Sequence, residues 1–408
     1  MSVRVDLTIT NLSEIVSPKG KPPVCGKNMS QLSIRKNKNI AIKDGKIVYI
    51  GSEIPPALRT INANGAIALP GLVDPHTHIP FTGNRAHEFI MRLHGKSYME
   101  IMQAGGGILS TVKAVRKASL KELVLRGAYA LNEMLKLGVT TVEGKSGYGL
   151  EKTAEIKQLK ALKLLNKVQL VDVIPTFLGA HALPEEFEDK KEYLNYLSNM
   201  LKDVREYTDT VDIFCEKGVF EVEESREFLE RAKAMGFRLR LHADELAPSG
   251  AGKLAVELRA VSADHLISAD DETLEAISKS ATTAVILPGT SFFLKERFAR
   301  GRKMIDLGSA VALASDFNPG SCNIYDPYLI MHLAVTRCGL EIEEAVTAYT
   351  INAAHILNLS NRKGKIEEGY DADIVLLGLN SYTEIPYMFS RITVVSVIKS
   401  GRVVFHES

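Results

Sequence analysis

Two histidines two residues apart, His76 and His78, close the run Leu69-Pro-Gly-Leu-Val-Asp-Pro-His76-Thr-His78. At the end of a buried strand this spacing points both rings to one face, where they can grip a single metal ion. Other groups able to do chemistry sit at the ends of other short apolar runs: Glu143, Lys145 and Tyr148, then His181, Glu216, His242 and Glu245, Asp264 and His265, and Asp316 with Asn318. Three imidazoles and a carboxylate make a mononuclear site with one open position, so His76, His78, His242 and Asp316 are assigned as ligands. A metal so held lowers the pKa of a bound water from about 16 to about 7, and the chemistry expected is hydrolysis. Glu245 lies three residues past a ligand, where it can move protons between water and a leaving nitrogen; otherwise it is an ordinary helix-start carboxylate. His265 can orient the water or polarise the attacked carbon, or it only hydrogen-bonds to a neighbour. Asp316 counts as catalytic as well as ligating.

Positioning these groups requires a scaffold of strand ends. Residues of about 68 to 360 alternate β-rich apolar runs with helical patterns, which predicts βα units and a parallel sheet. Eight strands are expected: Ala68 to Asp74, Val139 to Glu143, Val171 to Phe177, Val211 to Cys215, Arg238 to Leu241, Ala260 to Ala263, Thr283 to Leu287 and Ala310 to Ala314. Eight closes a TIM (β/α)8 barrel, whose chemistry sits at the C-terminal strand ends. Ser119-Leu-Lys-Glu122 is a capping box opening a helix that runs to Gly138, and a helix over Glu223 to Met235 is stopped by Gly236. After the seventh strand, Leu287-Pro-Gly-Thr290 offers no obvious ligand.

The two ends of the chain look alike. Residues 3 to 9 alternate, and Ile40 and Ile42 lead through Asp44-Gly45 into Lys46 to Ile50, a β-hairpin. Ala372 to Leu377 is a strand, and Val394 to Lys399, Ser400-Gly401 and Arg402 to Phe405 form a second hairpin. Two half-sheets at opposite termini predict one small β-sandwich domain, 1–67 with 361–408, around a hydrolase barrel over 68–360. Residues 17 to 38, with Pro22-Pro23 and several Lys and Asn, read as a loop.

Composition excludes several function classes. A net charge of +1 gives no electrostatic case for nucleic acid or an anionic membrane. No apolar run is long enough to span a bilayer and no signal-peptide pattern stands at the start, so a cytoplasmic protein is expected. Cys25, Cys215, Cys322 and Cys338 are widely spaced without a CxxC, which predicts free thiols. A homodimer is the expected assembly on base rates.

With these motifs in place, the chain resembles the amidohydrolase superfamily and, within it, the imidazolonepropionase family. The resemblance covers essentially the whole chain. It rests on PGLVDPHTH, Gln103-Ala-Gly-Gly-Gly-Ile-Leu-Ser-Thr111, Lys145-Ser-Gly-Tyr-Gly-Leu150, Gly179-Ala-His181, His242-Ala-Asp-Glu245, Ser262-Ala-Asp-His265, Leu287-Pro-Gly-Thr290 and Ser315-Asp-Phe-Asn-Pro-Gly-Ser321. It implies one zinc or iron ion on the four ligands and a small-molecule substrate, 4-imidazolone-5-propanoate, hydrolysed at its cyclic amide to N-formimidoyl-L-glutamate in histidine breakdown. It also implies that Arg85 and Tyr98 bind the propanoate carboxylate, that Tyr148 and His181 line the ring pocket with Glu245 beside them, and that Asn318, Gly320 and Ser321 complete the contacts. From residues alone Arg85 is a solvated loop charge. The triple glycine at 105 to 107 lacks phosphate-loop spacing and reads as a tight loop near the pocket. A binuclear site using Glu216 and Lys217 is formally open, against the family's mononuclear habit. The competing reading keeps fold and metal but makes the substrate another cyclic amide, or an aminated heterocycle for a deaminase; Arg85 discriminates, since such a heterocycle has no carboxylate.

Overall fold

Eight apolar runs become eight parallel strands because both faces of each are covered, one by barrel interior and one by helices. In the computed structural model, which describes residues 4–96, 100–101 and 104–407, these are Leu72–Asp74, Val139–Lys145, Asp172–Ala180, Thr210–Cys215, Arg238–Ala243, Ser262–His265, Thr283–Ile286 and Val311–Leu313. Each pairs with the next in chain order. Past the last strand the chain returns to the first: Asp316 N donates to His76 O at 3.0 Å, and His78 N to Phe317 O at 3.0 Å. The closing seam therefore runs through three of the expected metal ligands.

Amphipathic helices fill the crossovers. Leu120–Lys136 opens at Ser119, whose hydroxyl accepts the Glu122 N–H, and Val222–Ala234 opens on the Glu221/Glu224 capping box. The first start is the one expected, although the Glu122 carboxylate accepts from Thr82 Oγ1; the second helix begins one residue before the expected Glu223, on a box not foreseen from the sequence. Among the described residues no helix is long and apolar enough to cross a membrane.

The termini build two further sheets. One orders Lys46–Gly51, Asn39–Lys43, Val5–Thr10 and Ala57–Asn62; the other orders Arg402–His406, Val394–Lys399, Ile374–Leu377, Ile67–Pro70, Glu14–Pro18 and Leu32–Lys36. Leu7, Ile9, Ile40 and Ile42 from the first pack against Ile15, Ile374, Leu376 and Ile398 from the second. This is the expected small sandwich.

Two expectations are corrected. Residues 17 to 38 are not all loop, because Leu32–Lys36 pairs antiparallel with Glu14–Pro18, Ile34 opposite Val16. It is a half-exposed edge strand, where basic residues are tolerated and blunt the edge. The run 68 to 74 is not one strand: Ile67–Pro70 pairs with Ile374–Leu377 in the small sheet, while Leu72–Asp74 pairs with Val139–Lys145 in the barrel. Gly71 is the handover, and a Cβ there would lie 2.4 Å from Thr140 Oγ1.

Candidate metal centre and pocket

Residues two apart on a strand share a face, so three of the barrel strands place a deep charge beneath a shallower side chain. Glu143 lies below Lys145, Arg240 below His242, and Asp212 below Phe214 and Glu216. The deep members form one buried network. Arg240 binds both Glu143 and Asp264, and Lys145 Nζ bridges Glu143 and Asp212, at 2.7 Å from the latter. Formally this sets three carboxylates against two cations, leaving one negative charge beneath the histidines.

That network fixes the rings above it. His76 Nδ1 lies 2.6 Å from Asp264 Oδ2, and His242 Nδ1 lies 3.2 Å from Asp212 Oδ2. A proton on each Nδ1 satisfies the carboxylate and turns the Nε2 lone pair into the site. His78 Nε2 is 3.2 Å and His76 Nε2 3.6 Å from Asp316 Oδ1. Asp316 sits in the left-handed region at φ 57°, with Thr290 Oγ1 donating to its Oδ2 at 2.6 Å. Thr290 thus gives the seventh strand a role that its lack of a ligand had hidden.

The residues fit a metal ion. His76 Nε2, His78 Nδ1, His242 Nε2 and Asp316 Oδ1 are all buried with no hydrogen-bond partner among the described residues. Ligand atoms of His76, His78 and His242 lie within 4.8 Å of one another, as do those of His76, His265 and Asp316. Buried polar atoms without partners are costly unless something else satisfies them. Three imidazole nitrogens and a carboxylate oxygen over a net negative base suit a divalent cation. Glu216 and Lys217 take no part: Glu216 accepts the Leu246 and Lys217 amides, and Lys217 is exposed.

Around this centre lies the pocket. His265 Nε2 is 3.6 Å from Glu245 Oε2. Burial, then the charge of Asp316, pushes the Glu245 carboxyl up to about 8, while burial lowers His265 to about 3. His181 stacks on His78 at 5.0 Å between centroids and packs on Tyr148 at 5.3 Å; Phe214, not foreseen, closes the ring cluster at 6.3 Å from His181. His181 Nδ1 lies 2.9 Å from Gly147 O, so that nitrogen carries the proton and Nε2 is an acceptor. The loop holding Tyr148 is braced by buried Glu155, which accepts the amides of Gly147, Gly149 and Leu150. Burial raises the Glu155 carboxyl nonetheless.

Arg85 is buried near Gly320, but its Nε and Nη2 already hold Glu88, at 2.9 and 2.7 Å. Asn318 sits in the same wall and uses its amide on its own loop: Oδ1 accepts the Gly320 and Ser321 N–H groups, and Nδ2 donates to Asp316 O and Ser321 Oγ. Tyr98 and Gln103 lie outside the described residues. Cys322 is buried behind the eighth strand with Sγ toward Ser315 O. Sequence reasoning missed Arg240, Asp212, Thr290 and Glu88. For Arg240 the local signal was its place two positions before His242 in a buried strand, though its partners Glu143 and Asp264 lie far away in sequence.

The amidohydrolase family model matches residues 67–404. The imidazolonepropionase of Bacillus cytotoxicus is 44% identical over 410 residues, covering 98% of this chain and 97% of its own. That of Phocaeicola vulgatus is 45% identical over 408 residues, covering 98% of each. The chain belongs to the imidazolonepropionase branch of the amidohydrolase family. It is thereby a hydrolase. A zinc-bound adenosine deaminase from Xanthomonas campestris shares the amidohydrolase fold at TM-score 0.72, with 17% identity over 99% of this chain and 93% of the other.

Proposed function

We propose that the protein opens the ring of 4-imidazolone-5-propanoate by hydrolysis, giving N-formimidoyl-L-glutamate in histidine degradation. The observation that carries this reading is the set of buried atoms on His76, His78, His242 and Asp316 without partners among the described residues, together with buried Arg85, whose Nε and Nη2 hold Glu88 and whose outer fork has no partner among those residues. The named relatives point the same way. These four residues would hold one zinc or iron ion, both compatible with imidazole and carboxylate donors. When bound, it supplies Lewis acidity, acidifying water and polarising the attacked carbonyl.

The chain's own groups do the rest. Arg85 presents the Nη1/Nη2 fork left open by Glu88 to the propanoate carboxylate, two parallel hydrogen bonds that orient the substrate. Tyr148, His181 and Phe214 confine the flat ring, and His181 Nε2 accepts a hydrogen bond from it. Water oxygen bonds to the ring carbonyl carbon as Glu245 takes the water proton at its carboxylate. The carbon–nitrogen bond then breaks, and Glu245 returns that proton to the departing nitrogen. His265 orients the water, and the Asn318–Ser321 loop forms the wall opposite.

The test generates 4-imidazolone-5-propanoate in situ from urocanate with urocanase and follows loss of its ultraviolet absorbance, with chelator-treated protein as control. Fast metal-dependent loss with formimidoylglutamate as product is expected. No acceleration over spontaneous decay, from protein containing metal, would transfer the site to other cyclic amides or aminated heterocycles.

A further inference from the structure

The pocket wall around Gly320 holds more positive charge than one bound carboxylate of the protein can balance. Arg85 and Arg92 both converge on this glycine. Arg92 Nη2 donates to Gly320 O at 2.8 Å. A Cβ on Gly320 would lie 2.0 Å from Arg85 Nη1, 2.4 Å from Cζ and 3.0 Å from Nη2, so the guanidinium lies flat against bare backbone. Any side chain at position 320 would push it away.

Among the described residues they share one counter-charge, Glu88. Glu88 is fully buried and gives both oxygens to Arg85, while its Oε1 also accepts the Gly107 N–H at 3.0 Å. Gly106, next in the triple-glycine loop, has no room for a side chain: a Cβ would sit 3.0 Å from the same Glu88 oxygen. The glycine run therefore seats a loop on the carboxylate that aims Arg85. No ion pair joins Arg92 to any carboxylate among the described residues, and its Nε is buried without a partner. Burial, then the like charge of Arg85, lowers the Arg92 guanidinium, with Glu88 opposing.

Two cations against one carboxylate leave a net single positive charge in a partly desolvated wall, the complement of one anionic group. We propose that Arg92 is a specificity-determining residue, the second cation that selects a carboxylate-bearing substrate, with Glu88 as the positioning residue that leaves Arg85 only its outer fork. This deepens the function proposed above and rests on Arg85 facing the substrate carboxylate. Like charges held together repel, and an incoming carboxylate relieves that repulsion while forming charge-assisted hydrogen bonds. A neutral ring gains nothing there.

The experiment compares Arg92→Gln, Arg92→Lys and Arg85→Ala in steady-state assays on metal-loaded protein with urocanate-derived substrate, with circular dichroism and metal content as fold controls. Glutamine keeps an N–H for Gly320 O but loses the charge; lysine keeps charge and donor. Arg92→Gln should raise KM about tenfold with kcat within about twofold, and Arg92→Lys should restore most of that loss. A wild-type KM in Arg92→Gln, an equal loss in Arg92→Lys, or a loss confined to kcat overturns the proposal. Arg85→Ala separates the two readings. If it raises KM while Arg92→Gln does not, only the role of Arg92 fails; if neither moves KM, the carboxylate site itself is wrong.

Discussion

Two buried charge clusters sit at opposite ends of the same barrel, and they differ in what they leave over. At the N-terminal end, Lys363 and Lys399 each reach both Asp172, at the start of the third barrel strand, and Asp373, on the small sheet's side. Asp371 takes Lys46 and Arg362 as well. Every charge there has an opposite partner. At the C-terminal end the network of Arg240, Lys145, Glu143, Asp212 and Asp264 is also dense, yet in the layer above it His76 Nε2, His78 Nδ1, His242 Nε2 and Asp316 Oδ1 have no hydrogen-bond partner among the described residues. A saturated cluster holds two bodies together, and an unsaturated one holds a place for something else.

Substitutions can break that comparison. Glu245→Gln should lower kcat by about 10²–10⁴-fold with metal content and melting temperature unchanged, as measured by turnover, metal analysis and thermal denaturation. Its wild-type counterpart should show an acid limb in kcat/KM that the variant lacks. Glu245 acts as a carboxylate, so activity is lost as pH falls through its pKa; burial, then the charge of Asp316, sets that near 8, and a bound cation draws it down. A wild-type rate in the variant would remove Glu245 from proton transfer.

Lys363→Met should do the reverse. Breaking a buried pair costs about 3–5 kcal/mol, so denaturant unfolding should show a large loss of stability while kcat per folded, metal-loaded enzyme stays put. If turnover collapsed and stability held, the two ends would have exchanged roles. His242→Ala should lose bound metal and activity together, and thermal melting of the metal-free variant and metal-free parent should nearly coincide.

The smallest effect is the most specific. Burial alone would raise the Asp172 carboxyl, but Lys399 and then Lys363 outweigh it and hold it below its ordinary value. Its contribution to stability is complete above the unfolded carboxyl value of about 3.9 and fades as pH falls through the folded one. Asp172→Asn should therefore melt below wild type at neutral pH, with the gap narrowing below about pH 4. A gap constant across that range would show that packing, not charge, is lost.

How much was legible beforehand follows from the range of each interaction. His76, His78, His242 and Asp316 stood out because strand periodicity and spacing are local. Arg240 did not, since its partners Glu143 and Asp264 are separated from it in sequence and a charged residue in an apolar run looks like an error until both are adjacent. Glu88 resembles an ordinary i,i+3 helix pair with Arg85 and becomes a pocket residue only when Gly107 folds onto it. Leu32–Lys36 alternates over only five residues in a stretch rich in Pro, Lys and Asn, and as a half-exposed edge strand it has too little apolar content to stand out from loop.

Gly71 separates two strands that carry one continuous segment from the small sheet to the histidine pair. Its upstream neighbour, Ile67–Pro70, waits for Ile374–Leu377, which leaves the ribosome roughly three hundred residues later, on the order of tens of seconds at ordinary elongation rates. During synthesis, then, Ile67–Pro70 has Glu14–Pro18 on one side only, and the seam that brings Asp316 onto His76 also closes late. Substitutions that weaken the last strands should therefore lower the metal content of the purified protein, as read by metal analysis, although those strands carry no ligand.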